Sequence, residues 1–461
     1  MQTQCNAQQF EFEAVKGRSV VAAFDGGAVS SDAGALLLSR LDRGIGLIGR
    51  FAGCFDDRRK ADQIEHSVKM LVGQRVLGIA LGYEDLIDHD QLRHDPLWAA
   101  ALGKLEPRRR PECAALAGKS TLNRLERTPH KGRYHKIAHR PEAIEALFVD
   151  LFLQAHAVAP ERIVLDLDAT DDPIHGEQEG RFFHGYYGHY CYLPLYIFCG
   201  KHLLVAKLRP SNIDGAAGSV EEIQRVTEQI RTRWAGVQII LRADSGFARD
   251  ALMSWCQANG VDYLFGLAKN ARLEAEITEE LAQAKQRCAQ TGKPARVFKD
   301  FAYQTRDSWN CARRVIGKAE HLPGKANPRF IVTSLPSAQW EARALYEDHY
   351  CARGEMENRI KEQQLDLFAD RTSTATMKAN QLRLWFASMA YVLLARLREV
   401  ALAGTELANA TVGTIRLKLL KIGAWVKLSV RRVRIAMASG CPYQEVFAHA
   451  YSTIAQHGAS P

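Results

Sequence analysis

RIVLDLDAT, from Arg162 to Thr170, sets the fold. Ile163, Val164, Leu165 and Leu167 make an apolar run of the length and composition that a buried strand takes. Two acids interrupt it. Asp166 and Asp168 lie two apart, so on a strand both point to one face. Asp168 is the nearer to the strand end, where the backbone fixes a carboxylate while a loop admits substrate. A second run repeats the pattern: VQIILRADSGF (Val237–Phe247) is an apolar strand that ends on Asp244.

The neighbouring segments fit around these two. YCYLPLYIFCG and HLLVAKLRP predict a hairpin or meander about Gly200, and SVEEIQRVTEQIRTRWAG an amphipathic helix capped by Ser219 and stopped by Gly236. RDALMSWCQANG reads as a helix and VDYLFGLA as a further strand. This alternation predicts an α/β sheet with a central parallel portion. Across 271–340 the rhythm breaks. A charged helix leads into ARVFKDFAYQT, RRVIGKAEH and RFIVTSLP, which predict a β-rich insertion, and helices are expected from Trp340 onward. Five regions result: a mainly helical 1–150, expected to be a DNA-binding region; a core in two parts, 160–270 and 341–400; the insertion 271–340; and a basic, helical 401–461. KSTLNRLER (Lys119–Arg127) is like the recognition part of a helix-turn-helix, which makes 110–140 a candidate for sequence-specific DNA binding.

Composition bounds the function. A chain of 461 residues exceeds one small core. Hydrophobic content of 47% with 25% charged residues excludes global disorder, and a net charge of +9 favours a polyanionic partner. Ten cysteines with no CxxC pair read as reduced, packed thiols of a cytoplasmic protein. MQTQCNAQQFEFEAVK lacks the basic and apolar regions of a signal peptide. The longest apolar stretch, Leu384 to Ala395, falls short of the roughly 20 residues that span a bilayer, so a core helix and no membrane are expected.

The third acid comes from YCARGEMENRIKEQQ. Tyr350, Arg353, Glu357, Lys361 and Gln364 step by 3, 4, 4 and 3 residues and fall within about 80° of a helix surface. Leu345, Ala352, Met356 and Ile360 lie toward another side that can pack on the sheet. A single strand-end Asp is usually a turn former or helix cap, and a charged helix face is usually solvated. Three acids from two strand ends and one helix mean more together. Hard cations such as Mg²⁺ take oxygen ligands and leave room for water and phosphate. A pair of them activates the attacking oxygen and stabilises the leaving one.

On the blocks DLDATDDPIHGEQEG, RADSGF and YCARGEMENRIKE, with the weaker YEDLIDHDQLRHDP, the chain resembles a DDE transposase of bacterial insertion sequences. The branch is the one marked by Tyr-x2-Arg-x3-Glu-x6-Lys, and within it the group named after insertion sequence 1380. The resemblance runs over roughly 80 to 400. It implies an RNase H-like core, a β-rich insertion before the glutamate, and two Mg²⁺ ions for which Mn²⁺ can substitute. It makes Asp168, Asp244 and Glu357 the catalytic and metal-binding triad, with Tyr350 and Arg353 at the DNA backbone. It also implies a homodimer acting on terminal inverted repeats and target DNA, close to the bacterial nucleoid. One position departs: Gln364 stands where the motif has its Lys, which leaves Lys361, one turn earlier on the same face, as the candidate phosphate contact.

Two further features and two rival readings stand beside this. FFHGYYGHYCY (Phe182–Tyr192) is either a loop that stacks on a distorted DNA end or a glycine-rich hairpin with core aromatics. The spacing of His175, His184 and His189 matches no zinc pattern. Leu407–Gln444 contains no acid but carries Arg416, Lys418, Lys421, Lys427, Arg431, Arg432 and Arg434, which suggests a phosphate-facing surface. One rival is a haloacid-dehalogenase-type phosphatase, with Asp166 of DLDAT as nucleophile and Asp168 as acid/base. RADSGFARD lacks the second acidic motif that class requires. The other rival is a non-catalytic DNA-binding protein derived from a transposase.

Overall fold

The computed structural model describes residues 8–108, 113–127 and 136–457. Parts of the Lys104–Glu112 connector and of the 110–140 candidate lie outside them. The chain forms two compact units, Arg140–Ser388 and Met1–His139 with Met389–Pro461.

The unit Arg140–Ser388 is built on a nine-stranded mixed sheet. Its strands are β1 (Arg162–Ala169), β2 (Leu195–Cys199), β3 (His202–Lys207), β4 (Gln238–Ala243), β5 (Asp262–Leu267), β6 (Ala295–Tyr303), β7 (Arg313–Leu322), β8 (Lys325–Ala326) and β9 (Arg329–Thr333). The spatial order is β3-β2-β1-β4-β5-β9-β7-β6, with β8 paired to β7. β1, β4 and β5 are parallel neighbours, and all other pairings are antiparallel. The central parallel portion is thus where the alternation of strands and helices places it. Helix α1 (Pro141–Gln154) precedes β1, α2 (Ser219–Arg233) leads into β4, and α3 (Asp250–Ala258) joins β4 to β5.

Both sheet faces are covered, which explains why these strands are near-continuous apolar runs. Leu165, Leu167, Ile239, Leu241 and Phe265 meet Phe152 of α1, Ile223 and Val226 of α2, and Leu252 and Met253 of α3. Ile240 and Leu264 point the other way, toward Ile316, Ile331, Leu345 and Tyr346. Each such fully buried side chain contributes about 1.5–3 kcal/mol. The strands of 295–333 pair onto the edge of this same sheet through β5 and β9 rather than making a separate insertion sheet. Val315 and Ile316, adjacent on β7, are buried on opposite faces, so they need the layers that flank the main sheet. Ser219 does not cap α2: Gly218, at φ +75°, holds the N-cap position with no side-chain bond.

The unit containing the N-terminal region carries Ala35–Ile45, Val68–Ala80 and Lys119–Glu126 among its helices. A hairpin of Gln9–Val15 and Arg18–Ala23 precedes them. The C-terminal region corrects the helical expectation. Ala424–Ser429 and Arg432–Met437 form an antiparallel hairpin that also pairs with Val29–Ser30, and only Gln444–His457 is a long helix there. The cause is a period of two: Ala424 and Val426 are buried while Trp425 and Lys427, which alternate with them, are exposed. Among the described residues no helix is long and apolar enough to cross a membrane.

Candidate active site

The parallel β1–β4 pair sets the geometry. Asp166 stands opposite Arg242 and Leu167 opposite Ala243, so the next step along each strand brings Asp168 and Asp244 to the same edge of the sheet. Ligands of open α/β sheets bind at this carboxyl edge. Asp168 closes β1 at 16% side-chain exposure, with Oδ1 accepting from Ala169 N at 3.0 Å. Asp244 follows β4 and caps the turn Ser245–Phe247, accepting from Gly246 N at 2.8 Å. The capping role and the strand-end placement are therefore both true of Asp244.

Glu357 lies on α4 (Gly354–Lys361), which is anchored by Met356 and Ile360. Arg353 joins it to the sheet. Its Nη2 donates to Glu357 Oε1 at 2.6 Å, and its Nη1 stands 3.8 Å from Asp168 Oδ2. Burial pushes the Asp168 carboxyl up to about 7; the Arg353 charge opposes this, while Asp244 and Glu357 add to it. Burial works to lower the Arg353 guanidinium, but the surrounding acids, Asp168 and Glu357 foremost, hold it above its ordinary value. All three acids thus share one electrostatic field, with Arg353 among them. Among the described residues no three His, Cys, Asp or Glu side chains converge closely enough to hold a metal ion.

The even helical face expected over 350–364 is interrupted. Leu345–Tyr350 and Glu362–Asp366 are π-helical, with a 3-10 turn at Cys351–Arg353 between the first of these and α4. Arg353 and Glu357 keep their one-turn spacing, and Lys361 is exposed one turn further along. Gln364 Nε2 donates to Asp171 O at 3.0 Å, which ties this segment to the loop after β1. Tyr350 is half-buried, and its phenol is raised by burial and by Asp244 against the pull of Arg353.

Gly266 escaped the sequence reading. A Cβ there would stand 2.5 Å from Tyr350 Oη and 2.9 Å from Ser245 N, so the missing side chain lets the phenol approach the Asp244 turn. VDYLFGLA carries the signal: a glycine inside a strand marks a close approach.

Beside Asp168, Phe182–His184 pairs with His189–Tyr192. Cys191 and Tyr192 are buried, whereas Phe183, Tyr186 and Tyr190 are exposed. The hairpin is held to the site: Tyr187 Oη donates to Ala169 O at 3.5 Å, and His189 Nε2 lies 2.8 Å from Asp171 Oδ2. Arg431 and Arg432 belong to the other compact unit, at the turn and second strand of the C-terminal hairpin.

The family model described as Transposase DDE domain group 1 matches residues 12–459. The chain belongs to this DDE transposase family. It is also similar to the cryo-EM structure of the piggyBac transposase synaptic complex with hairpin DNA. That likeness has 12% identity and a TM-score of 0.40, and covers 94% of this chain and 83% of the other. No curated protein matches it.

DDE transposases generally use divalent metal ions, and the three carboxylates are of the donor type such ions take, with Glu357 paired to Arg353 in this structure. Three carboxylates are hard oxygen donors, and the buried one is raised to about 7 partly by the charge of the other two. A cation would relieve that repulsion, as the Arg353 charge does in part. The phosphatase reading fits this DDE family chain poorly. Its nucleophile would be Asp166, which is 3% exposed and gripped by Arg242 through two bonds, Nε–Oδ1 at 2.5 Å and Nη2–Oδ2 at 2.8 Å. Arg242 also donates to His349 O, so the guanidinium is fixed from both sides.

Proposed function

We propose that the protein is a cut-and-paste DNA transposase of the Tyr-x2-Arg-x3-Glu-x6-Lys branch, in the group named after insertion sequence 1380, with an RNase H-like core. It binds the terminal inverted repeats of its element and catalyses Mg²⁺-dependent end cleavage and strand transfer as a homodimer. The observation that carries this reading is the placement of Asp168 and Asp244 at the carboxyl edge of the parallel strands, with Arg353 between Asp168 and Glu357.

Asp168, Asp244 and Glu357 would hold two Mg²⁺ ions, or Mn²⁺. Bound there, the metal would supply charge stabilisation for an in-line displacement at phosphorus. The remaining work falls to side chains of this chain. Asp168 has to be ionised, which its raised carboxyl resists until positive charge arrives. Arg353 offers a planar fork suited to phosphate once Glu357 releases it. Tyr350 would contact a DNA-backbone oxygen, and Lys361 would offer a compact charge one turn beyond the glutamate. Arg431 and Arg432 add phosphate contacts outside the reaction centre. In this reading residues 1–150 bind DNA, 160–270 and 341–400 form the catalytic core, 271–340 are the β-rich insertion, and 401–461 are a basic accessory region.

The test is end cleavage by purified protein on DNA carrying the inverted repeats that flank the coding region. Nicks freeing a 3′-OH at those ends with Mg²⁺, and none with EDTA, are the expected result. Cleavage that persists in EDTA overturns the metal mechanism, and absence of cleavage at any flanking repeat overturns the function.

A further inference from the structure

The seven basic residues of the acid-free stretch Leu407–Gln444 divide by role. Lys421 Nζ pairs with buried Asp32 at 2.7 Å, and Arg416 Nε donates to Ala80 O at 3.0 Å. Lys418 Nζ sits over the Tyr443 ring at 5.1 Å. These three are engaged within their own unit. Lys427, Arg431, Arg432 and Arg434 instead occupy the hairpin Ala424–Ser429/Arg432–Met437 and its turn.

The register sorts the hairpin into two faces. Trp425 lies opposite Ala436, Lys427 opposite Arg434, and Ser429 opposite Arg432, so these six share one side. Trp425, Lys427, Arg432 and Arg434 are exposed there, whereas Ala424 and Val426 on the reverse side are 3% and 4% exposed. Like charges directly across a strand pair are destabilising. Lys427 and Arg434 are such a pair, and among the described residues none of the four hairpin cations makes an ion pair. The fold buries Ala424 and Val426 at the base of the apolar face, leaves Leu428 and Met437 of that face exposed, and leaves uncompensated positive charge on the other face.

We infer that this exposed face of the hairpin docks on the phosphate backbone of duplex DNA. The inference rests on the transposase reading and adds Lys427 and Arg434 as contacts, with Trp425 beneath Lys427 at 6.0 Å from its ring centroid. Charge complementarity selects a polyanion. Shape selects a duplex: strands of six residues make a ribbon about 20 Å long, and a two-stranded ribbon is an element that the major groove admits. Duplex DNA presents one phosphate per about 1.7 Å of axis, so the ribbon meets several. Cationic contacts of this kind position a protein without reading sequence.

The experiment titrates the full chain against a short labelled duplex of arbitrary sequence over a range of salt. Lys427→Gln with Arg434→Gln is expected to weaken binding and flatten the log–log salt slope by about 2, close to one unit per lost phosphate contact. The melting temperature of the free variant stays level or rises, because a repulsive pair is gone; a merely structural role lowers it. Lys421→Gln, which strands Asp32, is expected to lower the melting temperature and leave the slope intact. An unchanged slope in the double variant overturns the docking surface while leaving the transposase reading in place. So does a slope change seen on anionic vesicles or single-stranded RNA but not on the duplex. A wild-type chain that binds no duplex overturns both.

Discussion

Replacing Asp168 by Asn should stabilise the metal-free protein while abolishing its activity. The carboxyl is moved from 3.8 to about 7, chiefly by burial. Between those two values the folded state binds the proton more tightly than the unfolded state does. Stability therefore falls as pH rises through this window, and the loss is complete above about 7. Its full size is about 4 kcal/mol, at 1.36 kcal/mol for each tenfold change in the acid constant. Asn keeps the shape and can still accept from Ala169 N, but it carries no charge. The difference between variant and wild type is then small near pH 4, below about 2 kcal/mol at pH 5, and at its largest by pH 8. For a unit of this size 1 kcal/mol shifts melting by about 2–4 °C, so a rise of roughly 8–16 °C is expected at pH 8. Differential scanning calorimetry in EDTA at pH 5 and pH 8 reads it. Added Mg²⁺ should raise the wild type toward the variant and leave the variant nearly unmoved. A variant that melts at or below the wild type at pH 8 refutes the claim that Asp168 is held in a repulsive, buried environment.

Other expectations follow from neighbouring contacts. Gly266→Ala forces the Tyr350 hydroxyl or the Ser245 backbone to move; overpacking of this kind costs about 1–3 kcal/mol. Misplacement near the site should lower end-cleavage turnover by about 100-fold with the circular dichroism spectrum retained, and unchanged turnover would contradict the close approach. Arg353→Gln removes the group that lowers the Asp168 carboxyl, so the acidic limb of the pH–rate profile should move to higher pH; a limb that stays or moves lower removes Arg353 from this role. Arg242→Ala strands Asp166 in the sheet and should cost about 3–5 kcal/mol by calorimetry. A near-neutral result would mean that Asp166 does not depend on that pair.

How much the sequence revealed depended on distance along the chain. Asp168 and Asp244 were legible because each ends an apolar strand, and strand ends are local features. Their meeting required only that β1 and β4 be parallel, which the helix between them predicts. The Arg353–Glu357 pair was legible for the same reason, since a one-turn spacing survives inside α4. What was lost depends on partners far away. The bidentate grip of Arg242 on Asp166 joins residues 76 apart, and neither run signals it. The two π-helical turns shift the phase of a segment whose letters alone suggest one continuous helix. They flank α4 while Leu345, Met356 and Ile360 stay buried. Across the C-terminal hairpin the helical expectation passes over a strand period. The alternation of Ala424, Val426, Val433 and Ile435 was the better guide, since it is what the apolar face requires.

The central claim is that three acids from β1, the end of β4 and α4 act as one site. Single-turnover end cleavage by Asp168→Asn, Asp244→Asn and Glu357→Gln, each with Mg²⁺ and with binding to the inverted-repeat DNA shown to be intact, tests it most directly. All three variants should bind the DNA and none should cut it. Wild-type cleavage by any one of them would take that residue out of the site and contradict the account.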